Sequence, residues 1–226
     1  MTPWVKRLLI ANVGVFLLQL AYPELTSMLA FVPARVLSTP WSPLTYMFIH
    51  GGFWHILFNM IVLYFFGPRV EARMGSNRFI ALYLIAGFTG ALASVFTPYV
   101  AILGASGAVL GVELAYARYW PLDRVYIYGV LPIQVRWLLV ITVVMSIFGL
   151  GGFEPSVAHL AHLGGLVGAG VYLYIIEHTR SRGSKSGAVR AEVRQAPAPR
   201  SDDMRRWATI PRSELHEINR QEVDRL

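Results

Sequence analysis

The chain contains no cysteine, which excludes a disulfide framework and any thiolate metal site and leaves the redox compartment undetermined. Charge is scarce as well: only 15% of the 226 residues are Asp, Glu, Lys or Arg, well short of what a water-exposed globular surface carries. Apolar side chains fill the gap, with 55% hydrophobic residues and a mean hydropathy of +0.49. These values describe a polytopic membrane protein. The net charge of +7 does not point to nucleic acid, because eleven of the twenty basic residues lie after residue 179 and most others flank apolar runs. That distribution marks orientation in a membrane.

Six apolar segments can be read: Leu8 to Tyr22, Tyr46 to Phe66, Phe79 to Phe96, Leu103 to Tyr119, Trp137 to Leu150 and Val157 to Ile176. Several sit near the lower limit of the roughly 17 to 25 residues that span a bilayer. No small-x-small cleavage site follows the first, which reads as a retained helix. Residues 23–45 hold Pro23, Pro33, Pro40 and Pro43 and cannot form one spanning helix; with Phe31 and Trp41 they suggest a loop in the outer interface. An inward amino terminus puts Lys6, Arg7, Arg69, Arg73, Arg78, Arg118, Arg124, Arg136, Arg180, Arg182 and Lys185 in cytoplasmic flanks and leaves Arg35 outside. Both termini are then cytoplasmic, and the second, fourth and sixth helices enter from the outer face. The expected organisation is a membrane domain over 1–178 and a basic cytoplasmic tail over 179–226. The tail reads as a disordered linker from Gly183 to Arg200, then a stretch from Ser213 in which Leu215, Ile218, Val223 and Leu226 could share one helical face.

Three of these helices carry polar groups at similar depth. Ser106 opens the fourth within Gly104-Ala105-Ser106-Gly107. The second carries His50, His55 and Asn59, the last two four apart and on one face. The sixth carries His159 and His162, followed by Gly164, Gly165, Gly168 and Gly170. Small residues at helical spacing serve close packing as readily as chemistry, and each polar group taken singly could bond a neighbouring helix. Their arrival at one depth from three helices favours a shared polar site open to the outer side. Gly104, Gly107 and Gly111 are expected to pack against Gly165 and Gly168, letting Ser106 and His162 touch. A serine hydroxyl becomes a useful nucleophile when a base takes its proton, a role suited to histidine. The Ser106 amide, the His55 ring and the Asn59 amide are candidate oxyanion donors. The outer ends of these three helices carry no Asp or Glu, so a dyad is expected rather than a triad.

The same residues resemble the rhomboid family of intramembrane serine proteases: Gly104-Ala105-Ser106-Gly107, His50 with His55-Ile56-Leu57-Phe58-Asn59, and Ala161-His162-Leu163-Gly164-Gly165. The likeness covers roughly residues 41–178. It implies an all-α, six-helix membrane bundle with an interfacial loop after the first helix. It also implies cleavage of the transmembrane segments of other membrane proteins near the outer face, by Ser106 as nucleophile and His162 as base and acid. His55 and Asn59 would bind the oxyanion, with His50 and Gly104 in support and no metal or cofactor. The fifth helix and the loop after it would govern substrate and water access. Transmembrane proteins and the bilayer are the implied partners, nucleic acid is not, and a compact six-helix form suggests the plasma membrane. Two departures stand out: Ser42 follows Trp41 where many members have arginine, and Leu110 lies one turn below the serine where many have an aromatic residue. Glu113, deeper on the serine's face, is expected to be paired toward the cytoplasmic end. The alternatives are a metal-dependent or haem-binding membrane protein, which would use the four membrane histidines but leave the Gly-Ala-Ser-Gly stretch without a role, and an inactive rhomboid-like binder.

Overall fold

The computed structural model describes residues 1–127, 130–148 and 159–188. Chain contacts divide it into two units, Met1–Glu177 and His178–Leu226, and the first carries the features below. Its long elements are α1 (Pro3–Ala21), α4 (Phe53–Met74), α5 (Ser76–Ala93), α6 (Ser106–Tyr119), α7 (Val135–Phe148) and α8 (His159–Ala188). Two short helices, α2 (Glu24–Leu29) and α3 (Ser42–Thr45), lie between α1 and α4, and an antiparallel pair, β1 (Arg124–Ile127) and β2 (Leu131–Gln134), joins α6 to α7.

Among the described residues, four helices are long and apolar enough to cross a membrane: Pro3–Ala21, Phe53–Met74, Ser76–Phe96 and His159–Thr179. Their outward faces present bulky apolar side chains such as Leu17, Phe65 and Val167, as lipid contact requires. α6 differs: ten of its 14 residues are buried. A helix buried on most of its faces is the centre of a bundle, and α6 has α4, α5 and α7 packed around it.

The second apolar segment does not begin as a helix at Tyr46. Residues Tyr46–Phe48 form a 3₁₀ turn and α4 starts at Phe53. The pair Gly51-Gly52 breaks the helical run, so His50 precedes α4 while His55 and Asn59 lie on it. The other end of α4 stops at Gly75, whose φ of +86° favours glycine. Its amide donates to the Glu71 carbonyl at 2.8 Å and its carbonyl accepts from Phe79 at 3.0 Å, so one residue closes α4 and opens α5.

The connection over residues 22–52 is tied down by side chains. Trp41 Nε1 donates to the Met28 carbonyl at 3.0 Å, Thr45 Oγ1 to that of Leu29 at 2.9 Å, and the buried Ser42 Oγ to that of Thr39 at 2.7 Å. Phe31 and Ile102 exchange backbone hydrogen bonds of 3.0 and 2.8 Å, fastening this region to the strand-like approach to α6.

At the opposite end Glu71, only 2% exposed, accepts from the Trp4 and Val5 amides at 3.1 and 3.0 Å and from Ser76 Oγ at 2.7 Å. The first amides of a helix have no internal acceptor, and α1 has no acid in its own first turn. Glu71 therefore caps α1 from a distant helix and places a negative charge at its positive end. Glu71→Ala is expected to strand two amides and a hydroxyl and destabilise the fold by about 2–3 kcal/mol. A lowered thermal-unfolding midpoint in detergent checks this; an unchanged midpoint contradicts it.

The structure carries α8 through to Ala188, past Gly183 where the expected linker begins. The rest of that linker, the stretch from Ser213, and residues 149–158, which include the expected end of the fifth segment and start of the sixth, lie outside the described residues.

Candidate active site

Ser106 is the first residue of α6, and the backbone before it is shaped by Gly104. That residue has a φ of +114°, in the region that favours glycine. Its amide donates to the Tyr46 carbonyl at 2.9 Å, and Tyr46 is itself anchored through its hydroxyl to the Gly87 carbonyl at 2.6 Å. A Cβ at position 104 would lie 2.5 Å from His55 Cε1 and 2.6 Å from Nε2. Both backbone shape and space thus demand glycine, and the His55 ring lies against the chain leading into Ser106.

Ser106 Oγ and His162 Nε2 are 2.7 Å apart, across 56 residues of sequence. The approach depends on α8 lying almost backbone to backbone with its neighbours. A Cβ on Gly107 would meet the Ala161 carbonyl at 3.1 Å, one on Gly90 of α5 would meet the same oxygen at 2.7 Å, and one on Gly165 would come within 2.9 Å of Gly107 Cα. The start of α8 is wedged between α5 and α6 with glycine on each side. Of the other expected contacts, Gly111 meets Ala86, Ala169 and, at 4.0 Å, the Gly165 carbonyl, whereas Gly104 faces His55 and Gly168 packs against Thr89 of α5. The reason is rotation, since sequence spacing identifies a small-residue face without saying which neighbour it meets.

The oxyanion candidates are held by local bonds. The Gly51 amide donates to His55 Nδ1 at 3.3 Å, so in the neutral ring the proton sits on Nε2, the nitrogen beside Gly104. Asn59, buried on α4, donates from Nδ2 to the His55 carbonyl at 2.8 Å, which leaves its second amide hydrogen to serve another acceptor. His50 is 1% exposed and meets His55 edge to face at 5.1 Å. Its backbone is clamped by Gln19, which accepts from the His50 amide at 3.1 Å and donates to its carbonyl at 2.8 Å. Gln19, Tyr46 and Gly51 are site-building residues that motif reading passes over. Gln19 leaves one signal, an amide that follows Asn12 in the apolar run of the first helix.

His159 stands edge to face with His162 at 6.3 Å and is not the histidine within reach of Ser106. Glu113 is buried on α6, and its Oε1 has no hydrogen-bond partner among the described residues, so the expected pairing toward the cytoplasmic end is not made there by that oxygen. Among the described residues no three of His, Cys, Asp and Glu gather as a metal site would require.

A family model described as the Rhomboid domain matches residues 38–179. The rhomboid protease GluP of Bacillus subtilis is 35% identical over 129 residues, covering 57% of this chain and 24% of that protein. The mitochondrial RHOMBOID-like protein 6 of Arabidopsis thaliana is 33% identical over 128 residues, 56% of this chain and 40% of its own length. The mitochondrial Rhomboid protein 1 of Saccharomyces cerevisiae is 31% identical over 127 residues, 52% of this chain and 36% of its own length. The chain thus spans well under half the length of these three relatives.

Proposed function

This chain belongs to the rhomboid family, and on that premise we propose that it is an intramembrane serine endopeptidase with Ser106 as nucleophile and His162 as general base. The observation that carries the reading is the 2.7 Å approach of Ser106 Oγ to His162 Nε2, a nucleophile within hydrogen-bond reach of a base.

The chemistry runs as an acyl transfer. Ser106 Oγ attacks the scissile carbonyl carbon while His162 Nε2 takes its proton, and the carbonyl oxygen becomes an oxyanion. The C–N bond breaks as the imidazolium returns that proton to the leaving amine, leaving an acyl ester on Ser106. Water, deprotonated by the same nitrogen, then hydrolyses the ester and restores the serine. The Ser106 amide at the start of α6, His55 Nε2–H and the second Asn59 amide hydrogen are the donors for the oxyanion. His50 and Gly104 hold His55 in place. The tautomer set by the Gly51 amide supports the His55 role, because it presents a hydrogen where a donor is needed.

The membrane arrangement follows from the same reading. α1 and α4 to α8 are six crossings, residues 1–178 form the membrane domain and 179–226 a cytoplasmic tail. The connection between α1 and α4 lies in the outer interface, and the dyad opens to the outer side of a plasma membrane. The basic residues Lys6, Arg7, Arg69, Arg73 and Arg118 at the end of the bundle opposite Ser106 support this orientation. Substrates are transmembrane segments, which must leave helical geometry for Ser106 to reach a peptide carbonyl. Replacing a helix-breaking residue near the cleavage site of a model substrate with leucine is expected to slow cleavage about tenfold or more, as about 1.4 kcal/mol of added helix stability would. Timed cleavage in proteoliposomes checks this, and an unchanged rate contradicts local unwinding.

A further inference from the structure

The hairpin between α6 and α7 has a composition that water does not explain. Residues 125–135 contain no charged side chain. Val125 and Ile133, paired across β1 and β2, are half-buried, with Val125 packed on the bundle core. On the remaining surface Tyr126 is 58%, Val130 81% and Leu131 58% exposed. A hairpin with one face on a protein core alternates with polar residues on the other face when that face meets water, and a two-stranded sheet on its own is marginal in water. Here the face opposite Val125 and Ile133 holds Tyr126 and Pro132 and turns polar only at its base, at Arg124 and Gln134.

The base of the hairpin is nonetheless firmly placed. The Val135 amide donates to the Asp123 carbonyl at 2.9 Å. The Asp123 carboxylate accepts from Tyr116 Oη at 2.9 Å and pairs with Arg69, whose guanidinium lies 4.3 Å from the centre of the Trp120 ring. The base of the hairpin is therefore fixed against the bundle. Its depth follows from α6, which is bounded at both ends and 14 residues long, or about 21 Å, against a hydrocarbon core of about 30 Å. A helix this short that starts near one surface ends at or inside the boundary with the other, and the hairpin continues from that point. Arg124 and Arg136 flank the uncharged run, and both are exposed.

We propose that the β1–β2 hairpin is a membrane-interface anchor. Its exposed Tyr126, Val130 and Leu131 insert at the headgroup–acyl boundary of the leaflet opposite the Ser106 end, and Arg124 and Arg136 engage anionic phospholipid headgroups there. Continuity with the membrane-embedded helices on either side and the flanking cations both select lipid as the occupant. The inference rests on membrane embedding and not on the cleavage chemistry.

The absence of cysteine allows a clean test. Val130→Cys is labelled with an environment-sensitive nitrobenzoxadiazole probe in the full chain. It is then reconstituted in vesicles of phosphatidylcholine and phosphatidylglycerol that carry nitroxide lipids. Blue-shifted emission is expected, with quenching by headgroup-proximal nitroxides at least about twice that by aqueous iodide, as for a segment in the interface. The nitroxide on phosphatidylglycerol is expected to quench more than that on phosphatidylcholine, and Arg124→Gln with Arg136→Gln to equalise the two. Full iodide quenching with no nitroxide effect overturns the proposal. So does a blue-shifted probe that neither quencher reaches and that reverts on dilution of protein in lipid, which would mean a second copy covers the tip. A lipid preference that survives the double arginine change overturns the headgroup contact. Leu131→Cys gives an independent reading where the first variant folds poorly.

Discussion

Ser106→Ala is expected to reduce turnover of a transmembrane substrate by at least about 10³-fold, with the unfolding midpoint and substrate binding left close to those of the parent. Ser106 lies half-buried at the first position of α6, and its hydroxyl is recorded against His162, so its loss removes little packing. His162→Ala is expected to cost a similar factor, since a serine without its base is a poor nucleophile. The double variant should be no slower than either single one, because the two groups act as a unit. Additive losses would contradict that unit, and retained proteolysis in Ser106→Ala would remove the serine from the mechanism. Timed cleavage of a reconstituted model substrate, alongside thermal unfolding, separates these outcomes.

Gly165→Ala is the second large effect expected, and it acts without touching either reacting group. Its new methyl would press on the Gly107 backbone, within 2.9 Å of Cα, and backbone cannot swing aside as a side chain can. α8 must move away from α6 or turn, and the 2.7 Å Ser106–His162 approach lengthens. A displacement of about 1 Å at a reacting pair costs about 10²-fold in rate. The loss should therefore appear in kcat and leave KM nearly unchanged. Gly170→Ala is the matched control on the same helix, since its methyl would meet only Leu114 Cδ2 at an ordinary 3.7 Å. Equal behaviour of the two variants would show that close approach at Gly165 does not set the dyad.

Both expectations use residues visible in the sequence, and the structure brings Ser106 to His162 and Gly107 to Gly165. Ser106, His55, Asn59 and His162 can be singled out because a polar side chain in an apolar helix is costly and therefore conspicuous. Gly107 and Gly165 meet as their spacing suggests, but the partners of Gly104 and Gly168 are not legible in the sequence. Helical spacing gives a face, while the rotation and tilt that decide whether Gly168 meets α6 or α5 depend on the packing of the whole bundle. The start of α4 moved for a local reason, since the hydropathy of Tyr46 to Ile49 continues that of the helix and only Gly51-Gly52 marks the break. Glu71 and Gln19 bond chain segments 66 and 31 residues away, and no local pattern encodes such reach. The hairpin was hidden for the opposite reason, because an uncharged run between two apolar helices gives no period that separates strand from helix.

The most direct measurement is fluorophosphonate labelling of the full chain reconstituted in lipid, comparing the parent protein with Ser106→Ala and His162→Ala. An activated serine attacks the phosphorus and forms a stable adduct, so the reaction reports the nucleophile and its base without a known substrate. The dyad requires stoichiometric labelling of the parent at Ser106, no labelling of Ser106→Ala and labelling slowed by about 10²-fold or more for His162→Ala. An unlabelled parent protein that also leaves a model transmembrane substrate intact would contradict the protease reading and leave a rhomboid-fold protein that binds membrane segments without cutting them.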